Sequence, residues 1–285
     1  MAERAGIAAR VVGRLKDFSL TATLVAAILL LAEVSASRQW ISPFIVPAPT
    51  DVWTAFWDGV DRGIYWPHIR STVSAMAVGF ALASVGSIAL AAVLVSFRAL
   101  ERAVTPIIVA FQALPKVAVA PLVLIWLGFE QQAKVAIVTV VTFFPILVNA
   151  MQGLRARDRE QWELFRSLGA SRLQAVRYLR LPTALPYIFA GLNIGAVFAL
   201  IGAVVAELVG TRNGLGYLLM IERANFNAPG AYAILFILMA IGVLLQRAVA
   251  FAERRTIFWA ADLTQQPVPG GNRRARSRAG EVATS

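Results

Sequence analysis

The sequence predicts an all-α membrane protein, a polytopic bundle of about six transmembrane helices, and three observations lead there. The first is a run of 27 residues, Ser71 to Phe97, without a charged side chain. A bilayer core of ~30 Å is crossed by about 20 helical residues, so this run spans with length to spare. The second is composition: 58% of the 285 residues are apolar and 15% charged, with a mean hydropathy of +0.67. Soluble domains run at roughly 45–50% and 25%. The third is the placement of positive charge. With the N-terminus inside, twenty of the 27 lysines and arginines fall in inner segments. Only Arg38, Arg62, Arg70, Lys116, Lys134, Arg212 and Arg223 are left over. Positive segments resist export, so both termini are expected in the cytoplasm.

In chain order the expected spans are Leu20–Ala36, Thr72–Val95, Val104–Trp126, Lys134–Met151, Tyr187–Val209 and Ala231–Ala250. As helices, all satisfy their own backbone polar groups, which lipid requires. The first follows Arg4, Arg10, Arg14 and Lys16 and ends at Val34-Ser35-Ala36, a pattern that also fits a signal peptide cleaved before Ser37. Its apolar stretch is long for a cleaved signal and Glu33 sits beside the site, so an uncleaved helix is expected. On the second span Ala83, Ser87 and Ala91 repeat every four positions. They permit close helix approach, either within the bundle or between two copies. On the third, Pro115 and Pro121 flank Lys116, so a kinked or non-helical stretch is expected there. Trp40, Trp53, Trp57, Trp66 and Trp259 fall near expected interfaces, where amphipathic rings prefer to sit.

The resulting organisation is a cytoplasmic tail over 1–18, a first helix and external segment over 19–64, and a core over 65–252. The core contains a long cytoplasmic connection, 152–186, and a cytoplasmic tail occupies 253–285. With few apolar residues after Leu263, that tail is expected to be largely disordered. Its Arg273–Arg278 cluster fits electrostatic anchoring on anionic membrane lipid.

Several chemistries are excluded. With no cysteine there are no disulfides, thiol nucleophiles or thiolate metal sites. His68 is the only histidine, expected exposed in a polar connection, and the carboxylates are scattered, so neither metal nor cofactor is expected. A phosphate-cradling loop needs Gly-Lys, yet Lys16, Lys116 and Lys134 follow Leu15, Pro115 and Ala133. The chain is therefore not expected to hydrolyse ATP. Topology accounts for the formal charge of +11 without nucleic acid.

The 152–186 connection is long for a compact bundle and is expected to be structured. Asp158 with Gln161, and Ser171 with Gln174, have the spacing of helix-capping pairs. Trp162, Phe165 and Leu168 recur at helical spacing, and Gly169 suits the left-handed residue that ends a helix. In the second helix Leu173, Val176 and Leu179 share a face, and Pro182 and Pro186 are expected to close it. Such a stripe fits packing on the membrane surface, or docking into a groove of a partner protein.

The segment Glu163 to Pro182 resembles the cytoplasmic signature of ATP-binding cassette (ABC) importer permeases: Glu-Ala-Ala, three residues, Gly, nine residues, Ile-x-Leu-Pro. Here it reads Glu163-Leu164-Phe165, Gly169 after three residues, and Leu179-Arg180-Leu181-Pro182 after nine more. The departures are Leu164 and Phe165 for the alanines and Leu179 for isoleucine. The wider resemblance, from about Pro47 to Trp259, is to permeases of the nitrate, sulfonate and taurine type. It rests on Pro47-Ala48-Pro49, Leu114 to Leu122, Phe143 to Leu147, Ala206-Glu207 and Gly214-Leu215-Gly216, in that order. It implies a MetI-like type I importer transmembrane domain, paired as a permease homodimer. Cytosolic ABC ATPase subunits would dock on the signature loops, and a periplasmic or lipid-anchored solute-binding protein would deliver the solute. Trp162, Glu163, Phe165, Leu168, Gly169 and Pro182 would couple ATPase closure to the bundle. Sulfonates, nitrate, taurine and pyrimidine vitamin precursors are the solute classes implied.

Polar groups at membrane depth are costly and therefore candidates for the translocation path. They are Gln112, Lys116, Asn149, Asn193 and Glu207. A snorkelling lysine, interhelical hydrogen bonds and an interfacial Glu207 would explain them equally. A secondary transporter or channel working without an ATPase is the alternative function; a membrane enzyme lacks a catalytic constellation.

Overall fold

The computed structural model describes residues 2–156, 163–165 and 167–257. Trp162, the Asp158–Gln161 pair, Trp259 and the 258–285 tail with its arginine cluster lie outside the described residues. Among the described residues every regular element is helical. Helix α1 is Ala2–Ser37, α2 Pro49–Asp61, α3 Tyr65–Ser96, α4 Arg98–Ala113, α5 Ala120–Leu127 and α6 Gln131–Arg155. Then come α7, Leu181–Val209, α8, Leu215–Ala224, and α9, Ala228–Thr256.

The centre is three-stranded: α6 packs between α3 and α7. It runs parallel to α3, so that Thr139 bonds the Gly79 carbonyl and Ser87 the Phe143 carbonyl. It runs antiparallel to α7, with Lys134 near Glu207 at one end and Gly153 against Ala184 at the other. A Cβ on Gly79 would lie 2.6 Å from the Cβ of Val138, and one on Gly191 2.8 Å from that of Asn149. Helix approach here requires those glycines. Ala83, Ser87 and Ala91 are fully buried against α6, the intrabundle alternative of the two. Between the helices lie two apolar clusters: Val138, Ala203, Leu215 and Ile234 at one end, Leu94, Leu147, Ala150 and Ile188 at the other.

Outside this core the Ser19–Ser37 part of α1 is almost wholly exposed, a surface suited to lipid. It is tied to α2 through Glu33, whose carboxylate accepts from the Thr50 backbone N–H at 3.2 Å and its hydroxyl at 2.8 Å. Pro49 and Thr50 open α2 without a side-chain cap of their own, so Glu33 supplies one from 17 residues away.

Two expectations are corrected. The first concerns the third span; among the described residues five helices are long and apolar enough to cross a membrane, in keeping with a bundle of about six spans. The expected third span is two shorter helices, α4 and α5, joined through an extended Leu114 and a 3₁₀ turn at Lys116–Val119. Pro115 removes a backbone donor and forces Leu114 out of the helical region, and Pro121 starts the next helix. Nor do Pro182 and Pro186 close a helix. Arg172–Ala175 leads through a π-helical stretch, Val176–Arg180, directly into α7, giving one continuous span from Val176 to Val209. The Leu181 N–H bonds the Val176 carbonyl five residues back, and this wider turn precedes the ring of Pro182.

Candidate functional site

The connection between α6 and α7 emerges at one end of the bundle. Residues 163–165 and 167 are helical, and the Leu168 N–H bonds the Leu164 carbonyl at 3.1 Å. Gly169 then takes φ +69°, a left-handed residue, and the Ala170 N–H returns to the Phe165 carbonyl. Ser171 and Gln174 form the expected reciprocal cap, at 2.8 and 3.3 Å. Phe165 is half-buried and Glu163 exposed, while Leu164 and Leu168 are 57% and 73% exposed. A Cβ on Gly169 would touch nothing, so only backbone conformation favours glycine there. Pro182 sits where the π-helical stretch passes into α7.

The five candidate path residues do not converge. Gln112 is exposed near the end of α4, and Lys116 opens the 3₁₀ turn at the break. The amide of Asn149 donates to the Pro145 carbonyl of its own helix at 2.8 Å, and that of Asn193 to Glu253 of α9 at 3.0 Å. Glu207 is 0% exposed and pairs with a residue left out of the candidate set, Lys134, also 0% exposed, at 3.5 Å.

That pair anchors a polar cluster at the end of the bundle opposite the 156–180 connection. The Lys134 ammonium also donates to the Ser71 hydroxyl, the Asn213 side-chain oxygen at 2.7 Å and the Asn213 carbonyl at 3.1 Å. Glu207 accepts from the Thr72 hydroxyl at 2.8 Å and the Gly216 N–H at 2.9 Å. Thr72 accepts in turn from the Leu215 N–H. A Cβ on Gly214, at φ +115°, would lie 2.0 Å from a Glu207 oxygen. The loop into α8 can therefore close over the carboxylate only as glycine. Both charges are fully surrounded by partners, as buried ions must be. His68 belongs to the same end: it is half-buried within α3, and its Nδ1 lies 3.1 Å from the Gly214 backbone N and 3.0 Å from the Gly214 carbonyl oxygen, its tautomer deciding which of them it bonds. The expectation of an exposed loop histidine is corrected.

Comparison with known proteins fits this architecture. The family model described as "binding-protein-dependent transport system inner membrane component" matches residues 83–258, from mid-α3 past the end of α9. The formylaminopyrimidine transport permease protein ThiX of Halalkalibacterium halodurans is 34% identical over 232 residues, 81% of this chain and 92% of that protein. The riboflavin transport system permease protein RibX of Chloroflexus aurantiacus is 39% identical over 218 residues, 76% of this chain and 81% of that protein. Among solved structures, an inward-facing MetNI methionine ABC transporter matches with a TM-score of 0.59 and 22% identity. That match covers 68% of this chain and 97% of the other, and shows a shared fold. The chain belongs to the family of binding-protein-dependent transport system inner membrane components: it is the permease subunit of an ABC importer, whose ATPase is a separate subunit.

Proposed function

We propose that the segment 163–169 is the coupling element through which the ATPase moves this permease. The observation that carries it is an apolar surface left uncovered by the described residues: Leu164 and Leu168 are more than half exposed on a short helix ended by Gly169. That helix sits where α6 leaves and α7 returns, so force applied to it reaches two of the three central helices directly. Helix-in-groove docking would bury those leucines. ATP-driven closure of the ATPases then does work only through contacts that differ between its open and closed states.

In this reading the segment and both termini face the cytoplasm. Arg98, Arg102, Arg155, Arg254 and Arg255 gather at this end of the helices, which supports that orientation. The solute-binding protein delivers to the opposite face, near α8 and the Lys134–Glu207 cluster. Two copies of the chain enclose the solute route, with the interrupted α4–α5 segment among its walls. Non-helical backbone at membrane depth is tolerated where it lines a cavity. For the solute, the kinship with a permease named for formylaminopyrimidine supports a pyrimidine vitamin precursor over a sulfonate.

The test is co-purification of the cognate ATPase with the chain, followed by ATP-driven uptake. Gly169→Trp should abolish assembly or leave ATP hydrolysis uncoupled from uptake; normal uptake in that variant overturns the coupling assignment.

A further inference from the structure

A pocket of about 330 Å³ opens where α4 ends against the middle of α6. Phe111 and Leu114 line it from the end of α4, and Thr139, Val140, Phe143 and Phe144 from α6; none of these side chains is charged. Aromatic rings dominate the wall. Phe111 lies parallel to Phe144 with centroids 5.4 Å apart, and Phe143 meets Phe144 edge-on at 5.5 Å. Pockets of this size and lining take small molecules, with a few polar groups fixing their orientation. The polar groups here are acceptors. The Thr139 hydroxyl already donates to the Val135 carbonyl at 2.7 Å, so towards a ligand it can only accept. Pro115 has no N–H for the Phe111 carbonyl four residues back. Among the described residues no donor meets the carbonyls of Gln112 or Ala113 either, and the negative end of the α4 dipole lies at this turn.

The setting selects the occupant. Leu114 and Pro115 are exposed, and unpaired carbonyls midway along a membrane span are costly against lipid and in a dry contact between two copies alike. A hydrated route tolerates them. An anion would meet the negative helix end, and none of these side chains offers it a cation. An aliphatic solute would leave the acceptors unpaired. A flat heteroaromatic ring with N–H donors, such as an uncharged aminopyrimidine, suits both features: its face lies on the phenylalanine rings and its N–H groups reach the carbonyls. We propose that this pocket is a subsite of the solute route for the ring of an uncharged, N–H-bearing heteroaromatic solute. This rests on the reading that places the α4–α5 segment in the wall of that route, and adds a chemical preference to it.

The chain has no cysteine, so Val140→Cys places a single thiol on the pocket wall. The permease–ATPase complex carrying it is held in nanodiscs and treated with a water-soluble, membrane-impermeant methanethiosulfonate, and labelling of this chain is followed by mass spectrometry. The thiol should be labelled. Millimolar 4-aminopyrimidine at neutral pH should slow the labelling severalfold, while butanesulfonate and cyclohexanol should leave its rate unchanged. Adding Phe111→Leu should raise the aminopyrimidine concentration needed by about fivefold, the loss expected for one aromatic contact. Phe111 is half exposed, so that variant should keep the melting temperature of the unaltered protein. Absence of labelling removes the α4–α5 segment from the route and overturns both readings. Labelling that all three compounds slow alike, or that none slows, leaves the route in place and overturns the heteroaromatic subsite. A disulfide between two copies on oxidation of the thiol also overturns it, since the second copy then covers the pocket.

Discussion

Replacing Lys134 by methionine keeps most of the side-chain volume and removes the charge, leaving the carboxylate of Glu207 buried without its cation. Removing one partner of a buried pair costs about 3–5 kcal/mol, because the remaining charge has lost its compensation and cannot reach water. Glu207 keeps the Thr72 hydroxyl and the Gly216 N–H, which places the expected loss towards the lower end of that range. For a domain of this size ~1 kcal/mol shifts the melting temperature by roughly 2–4 °C, so Lys134→Met should melt on the order of 10 °C lower. Glu207→Gln should cost a similar amount, since it strands the ammonium among neutral acceptors. The double variant Lys134→Met/Glu207→Gln should lose less than the two single variants together, by about 2–3 kcal/mol, the coupling expected of contacting groups. The assay is thermal unfolding of the purified chain in detergent, followed by circular dichroism. Single variants that melt within about 2 °C of the unaltered protein would refute the reasoning, as would strictly additive losses.

Three further outcomes follow from named geometry. Gly214→Ala should destabilise by more than about 2 kcal/mol, because its Cβ would fall 2.0 Å from a Glu207 oxygen at φ +115°; the same melting assay reads it. At Gly169, φ +69°, Asn should preserve ATPase-coupled uptake and Val should impair it, since Asn tolerates the left-handed region and a β-branched residue does not. Pro115→Ala should let α4 run on towards α5, raising helicity. If that raises the barrier to solute passage by about 1.4 kcal/mol, uptake in proteoliposomes falls roughly tenfold without loss of folding.

Much of this architecture was legible in order along the chain, because lipid imposes local rules. The 27-residue run predicted α3, and the spacing of Ser171 and Gln174 predicted a cap that forms as expected. The prolines flanking Lys116 predicted an irregular stretch, although the span count treated that segment as one helix rather than two. What stayed hidden depends on helices meeting in three dimensions. Lys134 reads as an external charge in the sequence because it opens a span, a position where a lysine ordinarily reaches water. Its burial needs Ser71 from α3, Glu207 from α7 and Asn213 from the following loop, partners 63, 73 and 79 residues away. The signals were present: Lys134 lies between Ala133 and Val135, and Gly214-Leu215-Gly216 follows Glu207 closely enough to fold over it. His68 misleads for the same reason, since its partner is a backbone group 146 residues away. Pro182 misled in the other direction. Proline usually ends a helix, yet a π-helical stretch before it lets this one continue.

The central claim is that work reaches this permease from a separate ATPase through the 163–169 segment. Proteoliposomes containing the chain and its solute-binding protein, with and without the ATPase, test it most directly by uptake of the labelled solute which that binding protein carries. Accumulation should require both the ATPase and ATP, and should stop in Gly169→Trp. Uptake at full rate without the ATPase, driven by an ion gradient alone, would contradict the account.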